Sequence, residues 1–218
     1  MPEPIDLPEL TPAPLDPGTL YLVATPIGNL EDITLRAIRT LRDCDLVAAE
    51  DTRHTGMLLK RLGFAKRQVS THKFNEAKRS GEIVELLQGG GTVALVSDAG
   101  SPGISDPGQR VVGAAIEAGC RVESVPGACA LVAALTAGGL ATDEFHFVGF
   151  LPVKSGQRAK RLANLLELPG TIAVYESPHR VVKLLGELVE LAPGRPVVLA
   201  RELTKKIEQI QRRLPTEL

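Results

Sequence analysis

The chain has 218 residues, 44% of them hydrophobic, 3% aromatic and none tryptophan. That is enough for one large α/β domain or two small ones, and too apolar for wholesale disorder. The formal net charge of -1 hides an asymmetry: residues 52–79 carry eight basic side chains against one acid, Glu76, so this segment is +7 and the remainder -8. A local basic stripe can hold phosphates whatever the global charge, although a solvated helical face has the same composition. Scarce aromatic rings argue against modules that stack bases on exposed rings. The cysteines, Cys44, Cys120 and Cys129, form no CxxC pair, and the four histidines are scattered. This predicts a reduced, cytoplasmic protein without a metal site. No apolar run reaches the roughly 20 residues that span a bilayer, and the acidic, proline-rich start is unlike a signal peptide.

In chain order, six prolines in residues 1–17 predict an extended or disordered tail. Strands are expected at 20–24, 45–49, 92–96 and 121–125. Helices are expected at 34–42, with Thr34 as N-cap, around Met57–Leu62 with Gly63 closing, at 76–88 and at 107–118. Pro126-Gly127 breaks the pattern. A small-residue helix follows over 128–136, then strands at 145–150, 171–175 and 196–200 alternate with helices at 156–168 and 178–190. Alternation of this kind predicts βαβ units and mainly parallel sheets. The expected organisation is a tail over 1–17, an N-terminal α/β domain over 18–126 and a C-terminal α/β domain over 127–218.

Three glycine- or proline-rich stretches fall just after predicted strands: Thr25–Leu30 (TPIGNL), Ser97–Gly103 (SDAGSPG) and Pro126–Ala130 (PGACA). Ligands of open parallel sheets bind outside the carboxyl ends of strands, so three such loops on one edge point to a crevice. Taken singly, each is also an ordinary tight turn. None is a GxGxxG or Walker A loop, which removes the usual dinucleotide and P-loop readings.

Five ordered segments, Ala24–Thr34 (ATPIGNLEDIT), Ala49–Thr55 (AEDTRHT), Leu95–Pro102 (LVSDAGSP), Tyr175–Arg180 (YESPHR) and Ala200–Lys205 (ARELTK), resemble the ribosomal RNA small-subunit methyltransferase I group of the tetrapyrrole-methylase superfamily. The resemblance implies two α/β domains with S-adenosylmethionine (SAM) in the cleft between them. It also implies a homodimer and 2′-O-methylation of a cytidine ribose in small-subunit rRNA. A methylase of tetrapyrroles, or a non-catalytic RNA-binding form, are the alternatives.

Carried over residue by residue, the resemblance implies a cofactor wall of Pro26, Asp98, Ala99, Gly100, Ser101, Ile104, Cys129 and Ala130, completed by Tyr175 and Glu176. A ribose hydroxyl becomes a useful nucleophile when its proton is accepted. Asp51, Arg53 and Lys205 are candidates for work at the reacting centre, with no choice among them, and Glu50 can instead orient Arg53. Asp51 can equally be a helix N-cap, and Cys129 a small core residue. Lys60, Arg61, Lys66 and Arg67 are the expected RNA contacts. Two departures stand out within the motifs: Ala128 occupies a position where the family usually has proline, and Phe74 one where histidine is common. Family members also continue beyond the ARELTK segment with a further strand, so the second sheet is expected to be incomplete here, with residues 207–218 forming a strand and the start of a helix.

Overall fold

A computed structural model describes residues 13–72 and 75–218. Lys73 and Phe74, and with them the histidine-to-phenylalanine departure, lie outside the described residues, as does most of the proline-rich tail.

Five strands, β1 (Thr19–Val23), β2 (Leu46–Ala49), β3 (Gln68–Ser70), β4 (Val93–Val96) and β5 (Arg121–Val125), form one parallel sheet in the order β3-β2-β4-β1-β5. β2 and β4 are buried at every residue, as their unbroken apolar runs require of parallel strands covered on both faces. Helices α1 (Leu35–Asp43), α2 (Thr52–Arg61), α3 (Glu76–Gln88) and α4 (Gln109–Glu117) supply the cover. One apolar layer joins Val23, Leu41, Val47, Leu59 and Val96; the opposite layer joins Leu20, Ile83, Leu87, Leu95 and Val111. Thr34 caps α1 by accepting the Ala37 N–H at 3.1 Å. Asp45 ties the start of β2 to β4 by accepting from the Thr92 backbone and hydroxyl, each at 2.8 Å. Of the proline-rich stretch, Leu15 packs on the first layer and the Asp16 N–H donates to the Tyr21 hydroxyl.

The sequence pattern did not reveal β3. It has three residues, two of them polar, and lies at the sheet edge, so alternation has nothing to register.

Beyond residue 126 come α5 (Ala130–Gly138), β6 (Phe145–Phe150), α6 (Ser155–Leu166), β7 (Thr171–Tyr175), α7 (Val181–Leu191), β8 (Val197–Arg201) and β9 (Gln209–Arg213). β6 pairs with β7 in parallel, and β8 with β9 antiparallel, as two separate two-stranded sheets among the described residues. Residues 215–217 form one 3-10 turn after β9. Leu151, Leu162, Leu165 and Leu184 make the core here. Arg158 and Glu187, both nearly buried, join α6 to α7 through two hydrogen bonds of 2.8 and 2.7 Å.

Candidate functional site

The three turn-rich loops meet at the carboxyl edge of the five-stranded sheet. β1 and β4 are neighbours whose chains then leave in opposite directions, to β2 on one side and β5 on the other, which makes their carboxyl ends the switch point of the sheet. Thr25 and Gly100 exchange backbone hydrogen bonds of 2.9 and 3.0 Å, locking the first loop to the second. Ser101 donates to the Ala128 carbonyl at 3.4 Å, tying the second loop to the third. Gly127 is needed for the third contact: a Cβ there would stand 2.9 Å from the Cβ of Ala24. Gly100 has φ +85°, a conformation that glycine adopts without cost, and an added Cβ would also press on Ile27.

One residue beyond the last paired positions of β3, β2 and β4 lie Thr71, Glu50 and Ser97, a row across three strand ends. Carboxylates converge on it. The Glu50 carboxyl lies near the Asp98 backbone N–H, which favours its charged form, and Asp98 Oδ1 accepts the Asp51 N–H at 3.1 Å. Asp106 lies beside Ser97, whose hydroxyl donates to the Gly100 carbonyl at 3.3 Å. Burial first, then the neighbouring charges of Asp106, Asp98 and Asp51, raise the proton affinity of Glu50. Burial and Asp98 do the same for Asp106. Sequence reasoning missed Asp106; its one local sign was an acid followed by Pro107-Gly108 just before a helix.

Asp51, by contrast, is committed. It caps α2 by accepting the Arg53 N–H at 2.8 Å and pairs with the Arg53 guanidinium at 2.7 Å. These bonds hold its carboxyl far below the usual carboxylate range, so it is a poor proton acceptor. The Arg53 side chain is 90% exposed.

The second half reaches the same edge at two points. The Tyr175 hydroxyl, at the end of β7, accepts the Leu131 N–H at 3.1 Å beside Cys129, at the start of α5. Burial first, then Cys129, push this phenol's pKa up. Its ring is braced edge-on by Phe147 and Phe150. The loop after β8 lies on the first loop: a Cβ on Gly28 would meet Lys205 Cγ at 2.6 Å. The Lys205 ammonium itself pairs with Glu202 at 3.1 Å. Glu176 is turned inward, accepting from Ser177 and pairing with Arg180, which donates to the Leu151 carbonyl. Ile104 closes an apolar hollow of about 220 Å³ with Leu22, Leu95 and Val112, on the α4 side of the sheet. Pro26, Ala99 and Ala130 belong to the loops and helix start already described.

Among the expected RNA contacts, Lys60, Arg61 and Arg67 are exposed. Lys66 donates to the Arg42 carbonyl at 2.9 Å and so helps to close the end of α1. Lys60 and Lys66 border a shallow hollow of about 490 Å³ between α2 and β3. Among the described residues no cluster of His, Cys, Asp and Glu could hold a metal, and no helix is long and apolar enough to cross a membrane.

Residues 19–218 match the family model of tetrapyrrole (corrin/porphyrin) methylases. The chain is 51% identical to ribosomal RNA small subunit methyltransferase I of Mesorhizobium japonicum, over 93% of this chain and 69% of that one. It is 52% identical to the protein of that name in Synechocystis sp., over 89% and 70%. Among solved structures, uroporphyrin-III C-methyl transferase from Thermus thermophilus, complexed with S-adenyl homocysteine, superposes with a TM-score of 0.64 at 25% identity, covering 91% of this chain and 89% of that one. A cobalt precorrin-4 methyltransferase has the same fold, with a TM-score of 0.66 at 20% identity, covering 92% and 87%. The chain thus belongs to the tetrapyrrole-methylase family and, within it, to the ribosomal RNA small subunit methyltransferase I group.

Proposed function

We propose that this protein is a SAM-dependent methyltransferase that modifies a cytidine ribose 2′-hydroxyl in small-subunit rRNA. The observation that carries the reading is the junction of the three motif loops, at the switch point of the sheet, in a chain about half identical to rRNA methyltransferases. SAM, when bound, supplies a methyl group activated by a sulfonium cation. The residues present suit such a molecule: Asp98 and Asp106 offer carboxylates to a cation and to sugar hydroxyls, and the Gly100 turn leaves backbone groups approachable. The cofactor wall runs from Pro26 through Asp98, Ala99, Gly100 and Ser101 to Cys129 and Ala130, with Tyr175 facing it from the second half.

Residues 18–126 and 127–218 act as two domains around this crevice. The exposed Lys60, Arg61 and Arg67 hold RNA phosphates. A homodimer in the cytoplasm is the setting that the family resemblance implies, and sedimentation velocity checks the dimer.

Undermethylated small subunits incubated with labelled SAM should take label into rRNA, recovered after alkaline hydrolysis in an alkali-resistant dinucleotide. Label in a uroporphyrin-type acceptor and none in RNA would assign the protein to the tetrapyrrole branch. Label in neither would leave an RNA-binding protein without transfer activity. Asp98→Ala should weaken S-adenosylhomocysteine (SAH) binding by about 1–3 kcal/mol in calorimetry, the cost of a lost hydrogen bond to a charged group.

A further inference from the structure

We propose that Glu50 is the residue that accepts the ribose 2′-hydroxyl proton during transfer, an assignment resting on the RNA-methylation reading above. The position comes from the sheet. Glu50 directly follows β2, between the residues that follow β3 and β4, where the loop bearing Asp98 meets the start of the basic segment. The row it occupies is held from both sides: the Ser70 hydroxyl donates to the Glu50 carbonyl at 3.3 Å, and the Asp51 N–H donates to Asp98 at 3.1 Å. On one side of the row the Thr71 hydroxyl, in a residue 1% exposed, has no hydrogen-bond partner. A buried polar group in that condition marks a place where a partner is wanted.

The other candidates are occupied. Asp51 is spent on the α2 cap and Arg53. Asp98 accepts the Asp51 N–H at 3.1 Å. Lys205 is paired with Glu202 at 3.1 Å. The Glu50 carboxyl has only the Asp98 backbone N–H near it, so most of the roughly four acceptor positions of a carboxylate stay open. The charges facing it are Asp98 and Asp106, from the end of β4 and the loop that follows, and Asp51 in its own segment, itself matched by Arg53. Burial and these acids make Glu50 more basic than an ordinary glutamate, as general-base work near neutral pH requires.

In the step, Glu50 takes the proton from O2′. The pair of the broken O–H bond forms the new bond to the methyl carbon, and the pair of the broken C–S bond stays on sulfur as a neutral thioether. The proton on Glu50 then returns to water.

Glu50→Gln keeps the size and the acceptor for Asp98 N–H but cannot take a proton. SAH affinity by calorimetry should stay within about threefold of wild type. The single-turnover rate on undermethylated small subunits should fall by about a hundredfold or more. The acidic limb of the wild-type rate–pH profile should vanish, and in Glu50→Ala added formate should restore part of the rate. Direct 13C NMR of the Glu50 carboxyl in the ligand-free protein should place its titration above that of an ordinary glutamate. A Gln variant within about tenfold of wild type, a surviving acidic limb, or SAH binding lost together with the rate would each overturn the assignment while rRNA methylation by wild type stands. A wild type that leaves rRNA unlabelled would sink both readings at once.

Discussion

Single residues fall into two kinds, those whose bonds are complete and those held short of their usual state, and they respond to different probes. Cys44 is fully buried and its thiol is pushed up to about 11 by burial. Cys120 and Cys129 are partly exposed. A maleimide at pH 7.5 should therefore modify Cys120 and Cys129 in the native protein and spare Cys44, and saturating SAH should protect Cys129 alone. Mass spectrometry of the labelled peptides reads this; equal labelling of Cys129 with and without SAH would remove it from the cofactor wall. Asp106 tests the opposite kind. Its folded pKa is raised, so the native state binds this proton more tightly than the unfolded chain does. Its contribution to stability is full below the unfolded value near 4, declines as pH rises through the folded value, and remains a penalty above it. Asp106→Asn should consequently melt higher than wild type at pH 7 and lose that advantage near pH 4, as followed by calorimetry. A gain of that kind at the expense of activity is the usual signature of a strained functional group.

At the scale of elements, the loop from Ser101 to Gly108 is held from beneath by α3. Glu76 is 6% exposed and its Oε1 accepts the N–H groups of Gly108, at 2.9 Å, and Arg110, at 3.0 Å, at the start of α4. Glu76→Ala leaves these two donors without that acceptor and should cost about 1–3 kcal/mol in urea unfolding, whereas Glu76→Gln keeps the accepting oxygen and should cost clearly less. Equal losses would show that charge, not acceptance, is what α4 needs. The same scale shows what the sequence could reveal. The strands Leu46–Ala49 and Val93–Val96 read as apolar runs because both their faces are covered, and Thr34 read as a cap because its hydroxyl serves the adjacent turn. The three loops were visible as composition at strand ends. The approach of Glu50 to Asp106, 56 positions apart, was not, because it depends on β4 lying between β2 and β1. Nor was the clasp of Lys205 on Gly28, which joins opposite ends of the chain. The bond from Lys66 to the Arg42 carbonyl was not legible either, because charge alone does not reveal that α1 ends within its reach.

For the whole molecule, the basic face and the second half carry the remaining expectations. Replacing Lys60, Arg61 and Arg67 together by Gln should leave SAH binding unchanged and weaken binding to small subunits. The slope of log affinity against log salt should flatten as fewer counterions are released. An unchanged slope would make this face ordinary solvated surface. Lys66→Gln alone should lower the melting temperature with little effect on RNA, since its ammonium closes α1. The five-stranded sheet buries β2 and β4 completely, while β7 and β8 have no fully buried residue. Amide exchange should accordingly be slowest in β1, β2 and β4 and faster in β6 to β9. Uniform protection across both halves would refute that ordering.

The order β3-β2-β4-β1-β5 also has a meaning in time. β1 is made first, but its two neighbours are β4 and β5, and the chain must grow from Val23 to Val93 before the nearer of them exists. At synthesis rates of about 5–20 residues per second, that interval lasts roughly 4–14 s. Meanwhile β2 and β3, joined through α2, are both made and can pair before β4 exists. The apolar segment Leu20–Ala24 waits without either strand partner, open to whatever else in the cell binds extended hydrophobic chain. The arrival of β4 then fills the gap and joins two of the three loops, because the loop that follows it is the loop that bonds to Thr25.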